Sequence, residues 1–273
     1  MEVHIPDLFD LKKIADSGQC FRAVSRPDGT YRFITGDQVL YIQKAPDGCY
    51  RVSCSQEVWD RVWRPYFDLE RNYREISAAI PEKDAFLRRA AQAGAGIRIL
   101  RQDPWETLVT FIISQRKSIP AIRSVVEMLS ERYGTAVHVS GETLHTFPTA
   151  AQMRDVGEED YIACKAGYRA PYLCDAVEQV LSGRLDLEKI SALPDDQLIA
   201  ALEGVRGVGV KVANCVALFA YGRAACAPVD TWIRKIIQQE YRGRNPFDRY
   251  GAAAGIMQQY FFYYAQSHKA ETA

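Results

Sequence analysis

The spacing of apolar residues changes near residue 55 of this 273-residue chain. Before that point, apolar and aromatic residues alternate with polar ones in three segments bounded by turn residues, YRFIT, QVLYIQ and CYRVSC. This alternation predicts strands of an antiparallel meander. After it, helical spacing predicts a bundle of about eight to ten helices. The expected fold is α+β, mainly α, with an N-terminal antiparallel sheet domain and flanking helices at 1–96 and a helical domain at 97–273.

The charges of the chain are unevenly distributed. The net charge is zero, which argues against an indiscriminate binder of polyanions. Residues 151–205 carry five Lys or Arg against eleven Asp or Glu, whereas residues 206–249 carry eight against three. A basic segment of this kind fits either a face for phosphates or an ordinary solvated surface.

Three further features indicate the compartment. The N-terminus lacks the pattern of a secretion signal, and no apolar run is long enough to span a bilayer. The seven cysteines show no paired spacing, which fits reduced thiols better than disulfides. We therefore expect a cytoplasmic monomer that is not secreted and has no membrane partner.

The stretch RGVGVKVANC, residues 206–215, joins two helical segments and predicts a helix-hairpin-helix at about 194–221. Glycine adopts the positive φ that so short a hairpin needs. Free N–H groups and the positive dipole end at the start of the second helix suit a DNA phosphate. Gly207, Gly209 and Val210 are therefore candidate phosphate-binding residues.

Two ionisable residues stand at predicted helix starts. Lys211 falls in the first turn of the second helix, where the dipole and partial burial both favour the nucleophilic free amine over the ammonium. A simpler interpretation, in which Lys211 pairs with a phosphate or an acidic neighbour, stays open. Asp230, in APVDTW, has the position of a helix N-cap. A capping carboxylate could also stabilise a cationic transition state.

These motifs resemble the signature of the helix-hairpin-helix DNA glycosylases. More of the chain is similar to one branch, the 8-oxoguanine DNA glycosylase/lyases, in SGQCFR (17–22), LRQDPWETLVTFIIS (100–114), GYRA (167–170) and the pair Gln258 and Phe262. The resemblance implies that the partner is double-stranded DNA containing oxidised guanine and that the damaged base is flipped out. Lys211 would attack C1′, expel the base and form a Schiff base that undergoes β-elimination. Asp230 would stabilise the developing positive charge.

The resemblance also implies a set of residues that recognise the damaged base. The carbonyl of Gly18 would meet the N7 hydrogen of 8-oxoguanine, a donor that guanine lacks. Cys215 and Phe262 would sandwich the flipped base, and Gln258 would bind its Watson–Crick edge. Phe111 belongs to the same recognition set. Read from the residues alone, the aromatic stripe and Cys215 could equally be core.

A second implied set faces the opposite strand. Tyr168 would fill the gap left by the flipped base, and Arg169 would contact the orphaned cytosine. Without the resemblance, a core tyrosine beside a surface arginine is the simpler interpretation. Arg116 and Lys117 replace asparagines of the family, and Ala121 replaces an arginine that probes the cytosine. Arg116 could take over an asparagine's role, but we expect a weaker preference for cytosine than the family shows.

Several alternatives and expected absences complete the interpretation. Trp232 replaces a family histidine and could stack on DNA or pack under its helix. The protein could be a glycosylase for another damaged base, or a non-catalytic helix-hairpin-helix module that only clamps phosphates. No cysteine follows Cys226, which argues against an iron–sulfur cluster, and the dispersed histidines predict no metal site. We expect no required cofactor, although the hairpin carbonyls could hold a monovalent cation.

Overall fold

A computed structural model describes residues 1–268 of the chain. Its N-terminal part contains a five-stranded antiparallel sheet in the order β1-β5-β4-β3-β2. The strands are β1 (Glu2–Val3), β2 (Val24–Ser25), β3 (Tyr31–Thr35), β4 (Gln38–Lys44) and β5 (Tyr50–Val52). The predicted meander is confirmed, because β3, β4 and β5 are neighbours in the sheet. Two short strands that the sequence did not predict form its edges.

Helices make up most of the remaining chain, as the sequence predicts. They are α1 (Leu11–Asp16), α2 (Gln56–Val58), α3 (Arg64–Tyr66), α4 (Tyr73–Ala78), α5 (Ala85–Ala93), α6 (Pro104–Ser114), α7 (Ile119–Tyr133), α8 (Glu158–Ala163), α9 (Ala170–Leu181), α10 (Asp195–Glu203), α11 (Val210–Phe219), α12 (Thr231–Glu240) and α13 (Ala254–Ser267). A π-helical turn at Trp59–Trp63 joins α2 to α3. The predicted helix-hairpin-helix is α10, the glycine turn and α11. Within residues 1–268, no helix is both long and apolar enough to cross a bilayer.

The elements missed by sequence patterns are short. Helices α1, α4 and α8 each have six residues, less than two turns, so that a helical period is hardly visible. A second hairpin pairs β6 (Ala136–Val139) with β7 (Glu142–His145). Ser140 and Gly141 form its turn, both with positive φ. Its two strands have only four residues each, too few for an alternating pattern to stand out.

Two clusters of buried side chains form the core. The smaller one lies under the sheet and includes Phe33, Leu40 and Trp63, whereas the larger one joins the helices around α6 and α11. Leu87, from α5, is buried in the helical cluster, and Leu100 in the sheet cluster. Apolar contacts therefore cross the region near residue 96, and the division into domains at 96/97 stays a prediction.

Candidate active site

A cleft of about 860 Å³ lies between α6, α11, α12 and α13, and the loop after α1 forms part of its wall. This volume is typical of a site for a small ligand. Ten residues singled out from the sequence line it, namely Gly18, Phe111, Arg116, Lys117, Lys211, Cys215, Asp230, Trp232, Gln258 and Phe262. The fold thus brings together side chains that are up to 244 positions apart (262 minus 18) in the sequence.

Lys211 lies on an aromatic floor in this cleft. Its Nζ is 5.2 Å from the centroid of the Phe111 ring. That ring stacks on Phe219 at 5.5 Å and meets Phe21 edge-on at 5.7 Å. Phe111 is thereby buried below the lysine. The ion pairs found among residues 1–268 do not include Lys211, so the pairing with an acidic neighbour considered above is not observed.

Cys215 follows Lys211 by one helical turn and is almost completely buried. Burial raises the pKa of the Cys215 thiol, and the nearby amine of Lys211 acts in the opposite direction through its charge and a hydrogen bond. The charge of Asp230 raises the same pKa. The thiol therefore stays protonated and forms an apolar part of the wall. Lys211, Cys215 and Asp230 all line the same cleft.

Asp230 caps α12, as predicted. Its Oδ1 accepts a hydrogen bond of 2.9 Å from the N–H of Ile233. The residue is partly buried and lines the cleft, so that capping and exposure to a ligand occur together. The cap fixes the orientation of the carboxylate, and a fixed negative charge can stabilise a positive charge that develops beside it.

The loop that carries Gly18 requires a glycine for two reasons. Its φ is +74°, and a Cβ at this position would come within 2.8 Å of the Phe262 ring. Buried glutamines hold the adjacent residue: Gln259 donates to the Ser17 carbonyl at 2.6 Å, and Gln19 donates to the Ser17 hydroxyl at 2.8 Å. The Gly18 carbonyl itself accepts no hydrogen bond from residues 1–268. It is therefore an unused acceptor in a residue that lines the cleft.

Gln258 and Phe262 lie one turn apart on α13. Gln258 is 4% exposed, and its Oε1 has no hydrogen-bond partner in the described part of the chain. A buried acceptor without a donor costs about 1–3 kcal/mol. The cleft therefore contains an acceptor that a ligand with N–H groups would satisfy.

The burial of Tyr168 and Arg169 is the reverse of what the simpler interpretation predicted, namely a buried tyrosine and a surface arginine. Tyr168 is 52% exposed, and Arg169 is buried beneath it with its guanidinium 4.2 Å from the tyrosine ring. Arg169 donates to the carbonyls of Gln115 and Ala166. Its predicted contact with the orphaned cytosine stays a prediction and would require the guanidinium to leave these carbonyls.

The hairpin leaves its backbone donors open. Gly207 has a φ of +80°, and Gly209 is the N-cap of α11 without a capping side chain. The N–H groups of Gly207, Gly209 and Val210 find no acceptor within residues 1–268. Val210 is 62% exposed. This start of α11 is accessible from outside and can receive an anion.

Comparisons with known proteins agree with this geometry. The family model for the N-terminal domain of 8-oxoguanine DNA glycosylase matches residues 3–108. A probable N-glycosylase/DNA lyase of Methanothermobacter thermautotrophicus is 28% identical over 97% of this chain and 96% of that protein. The solved structure of Clostridium acetobutylicum 8-oxoguanine glycosylase/lyase, in complex with dsDNA containing cytosine opposite 8-oxoG, is 35% identical, with a TM-score of 0.90 over 98% of both chains. MBOgg1, solved with a low-affinity DNA ligand, is 36% identical, with a TM-score of 0.91 over 96% of this chain and 93% of that chain.

The chain belongs to the 8-oxoguanine DNA glycosylase family.

This family member departs from its relatives' expected pattern in the loop after α6. Arg116 lines the cleft, is exposed and has a φ of +53°, which is uncommon for a residue with a side chain. Lys117 donates to the Lys165 carbonyl at 2.8 Å. Burial, and then the charge of Arg169, lower the pKa of the Lys117 amine. Two cationic side chains thus line the cleft at the positions where the resemblance implied neutral asparagines.

Trp232 also departs from the family pattern and lines the cleft beside Asp230. Lys235 Nζ lies 5.7 Å from the centroid of its ring. The ring is partly buried, packs against the helical core and also lines the cleft, so stacking on DNA and packing under the helix both stay predictions. Sequence patterns could not decide this, because the direction of the ring depends on how α12 meets the cleft.

Other residues of this glycosylase site escaped sequence reasoning altogether. Gln259 and Gln19 fix the Gly18 loop, and Gln115 connects the loop after α6 to the hairpin. A buried pair of glutamines within an aromatic helix, QQYFF, is the one signal that could have revealed Gln259.

For metals, the described residues contain no group of three or more His, Cys, Asp or Glu that could hold an ion. A monovalent cation at the hairpin stays a prediction.

Proposed function

We propose that this protein excises 8-oxoguanine from duplex DNA through a Schiff base on Lys211 and then cleaves the strand by β-elimination. The observation that carries the proposal is the Lys211 amine on the Phe111 ring, without an ion pair, in the same cleft as the Asp230 carboxylate. An amine without an ion pair, in the same cleft as a fixed carboxylate, suits attack on a sugar carbon that becomes cationic.

The proposed reaction has three steps: loss of the base, opening of the sugar ring and β-elimination. The Lys211 nitrogen bonds to C1′ while the bond from C1′ to the base breaks, and the base leaves with the electron pair and takes up a proton. Asp230 stabilises the positive charge on the sugar during this step. The attached amine then loses a proton, and the nitrogen lone pair expels O4′ from C1′. The ring oxygen keeps the electron pair of that bond and takes up a proton, which leaves a protonated imine at C1′. Removal of a C2′ proton then expels the 3′ phosphate, which cleaves the strand.

Recognition of the base follows from two unbonded acceptors in the cleft. The Gly18 carbonyl suits the N7 hydrogen of 8-oxoguanine and repels the N7 lone pair of guanine. Gln258 Oε1 suits the N–H donors on the Watson–Crick edge. Phe262 and the protonated Cys215 supply the apolar faces between which a flat base fits. Together these groups favour oxidised over normal guanine.

Duplex DNA fits the outer surface of the site. Several basic residues around the cleft and the hairpin form no ion pair within residues 1–268, namely Arg116, Lys117, Lys165, Arg206, Arg234 and Lys235. Exposed cations and the free N–H groups of the hairpin together suit a phosphate backbone. We further infer a cytoplasmic monomer without a required cofactor; the seven free thiols support only the reducing compartment.

Borohydride trapping tests the proposal. The protein is incubated with a duplex containing 8-oxoguanine opposite cytosine, and borohydride reduces the imine to a stable protein–DNA adduct. We expect an adduct with the wild-type protein and with Lys189→Gln, and none with Lys211→Gln. Lys189 is exposed, pairs with Asp186 and does not line the cleft. DNA binding without any adduct would support the non-catalytic clamp. An adduct at preformed abasic sites, without release of 8-oxoguanine, would indicate another damaged base.

A further inference from the structure

Gln115 is the first residue after α6 and contacts two elements that the proposed function uses. Its side-chain Nε2 donates to the Gly207 carbonyl at 3.1 Å and to the Ile112 carbonyl at 3.2 Å. Its main-chain carbonyl accepts from the Arg169 guanidinium and, at 3.4 Å, from the Tyr168 hydroxyl. One residue thus joins the hairpin before Lys211 to the exposed tyrosine that would fill the duplex.

Packing provides a second connection between the same two elements. Tyr168 meets Tyr172 edge-on at 6.2 Å, and a Cβ on Gly207 would come within 2.3 Å of the Tyr172 ring. Asp175, on the same helix α9, accepts from the N–H of Arg206 at 2.7 Å. The helix that follows the tyrosine therefore supports the hairpin from its other side. The wedge Tyr168–Arg169 and the hairpin at 206–209 form one connected unit.

We propose that Gln115 is a positioning residue that couples insertion of this wedge to the seating of the Lys211 helix; the inference rests on the proposed function. Any movement of Arg169 towards DNA removes a donor from the Gln115 carbonyl, and the side chain of the same residue holds Gly207, four positions before Lys211. A change at the wedge therefore reaches the nucleophile through a single hydrogen-bonded residue. Gln115 touches neither the sugar nor the base in this role.

The test is a double-mutant cycle on single-turnover excision of 8-oxoguanine at saturating protein. Gln115→Met keeps the length of the side chain and the main-chain carbonyl but removes the donor to Gly207. Because one hydrogen bond is lost, we expect excision to slow about fivefold to tenfold. If Gln115 acts through the wedge, the double variant with Tyr168→Ala is no slower than Tyr168→Ala alone, within about twofold. Binding of undamaged duplex should not change, because the hairpin N–H groups are untouched.

Gln43→Met is the matched control, since Gln43 also donates to a backbone carbonyl, that of Asp28, but lies in the sheet. It should excise at the wild-type rate. Thermal unfolding checks that each variant is folded, and Gln115→Asn, which keeps the amide but is one methylene shorter, replaces the Met variant in the cycle if that variant unfolds. The proposed coupling would be wrong if the excision rate of the double variant fell by the product of the two single-variant effects, or if the Gln115 variants excised at the wild-type rate. Absence of excision by the wild-type protein would instead refute the proposed function.

Discussion

The starts of α11 and α12 lie at the same cleft but satisfy their backbone in opposite ways. The N-cap of α11 is Gly209, which has no capping side chain, and the first N–H groups stay open. The N-cap of α12 is Asp230, whose carboxylate occupies the N–H of Ile233. An open helix start can receive an anion from outside, whereas a capped one holds its own anion in place.

The difference explains why a lysine follows one start and an aspartate marks the other. At α11 no capping carboxylate compensates the positive end of the dipole, so this helix start, two positions before Lys211, attracts an anion such as a phosphate. At α12 the dipole holds a carboxylate that faces the cleft. One kind of helix end thus supplies both an anion-binding site and a fixed negative charge. The four predictions below test this assignment, beginning with the largest expected effect.

Asp230→Asn separates capping from charge. Asparagine caps a helix about as well as aspartate, so we expect the free energy of unfolding to change by less than about 0.5 kcal/mol. The loss of the negative charge should slow single-turnover excision about a hundredfold to a thousandfold. Urea denaturation and a gel assay for excision measure the two effects. Asp230→Ala serves as the control, because it should also lose about 1 kcal/mol of stability. If Asp230→Asn excised the base at the wild-type rate, Asp230 would serve only as a helix cap and its charge would not contribute to catalysis.

Gly209→Asp closes the open helix start. The backbone at Gly209 is extended, and a Cβ there meets no atom within 4 Å, so a side chain fits. We expect a small gain in stability from the new cap and a loss of duplex affinity of about tenfold to a hundredfold, because the carboxylate repels phosphate. Gly209→Ser caps without charge and should weaken binding much less. Fluorescence anisotropy at several salt concentrations measures the affinity. Unchanged binding by Gly209→Asp would show that α11 receives no phosphate.

These two helix ends also show what a sequence can predict. The residues that decide them are local: Gly209 stands one position before α11 and two before Lys211, and Asp230 stands one position before α12. The same holds for the meander and for the hairpin. The link from Gln115 to Gly207 spans 92 positions, and the burial of Arg169 depends on carbonyls at 115 and 166. No periodicity or spacing reports such contacts, because they exist only after α6, α9 and the hairpin have packed.

The loop after α6 concerns the other DNA strand, which carries the base opposite 8-oxoguanine. Arg116 and Lys117 replace neutral residues there, and Ala121 does not line the cleft. A two-point base contact is worth about 1–3 kcal/mol, and its absence should leave excision opposite cytosine less than about tenfold faster than opposite the other bases. Four duplexes with 8-oxoguanine opposite each base measure the ratio. Ala121→Arg should raise the preference for cytosine, whereas Ala121→Gln should not. Strict dependence on cytosine in the wild-type protein would contradict the prediction.

A third helix start, that of α6, provides the smallest effect. Asp103 caps it by accepting from the N–H of Glu106 at 2.8 Å. Here burial outweighs the favourable dipole and raises the pKa of Glu106 from 4.5 to about 8. The charge of Arg22 lowers this pKa, whereas the charges of Asp103 and Glu127 raise it further. The folded state therefore keeps a proton on Glu106 that the unfolded chain has released, and stability falls as the pH rises from about 4.5 to about 8.

Glu106→Gln removes this dependence, because a glutamine is neutral at every pH. We expect the free energy of unfolding of Glu106→Gln to exceed that of the wild type by an amount that grows about 1–2 kcal/mol between pH 5 and pH 9. This total is well below what the whole change in the pKa of Glu106 would give at 1.36 kcal/mol per pKa unit. Urea denaturation at the two pH values measures it, with the exposed Glu131→Gln on α7 as the control. An advantage that is equal at both pH values would mean that Glu106 is already ionised in the folded protein. In that case the start of α6 would hold an anion as α12 does, and burial would not decide the charge at a capped helix end.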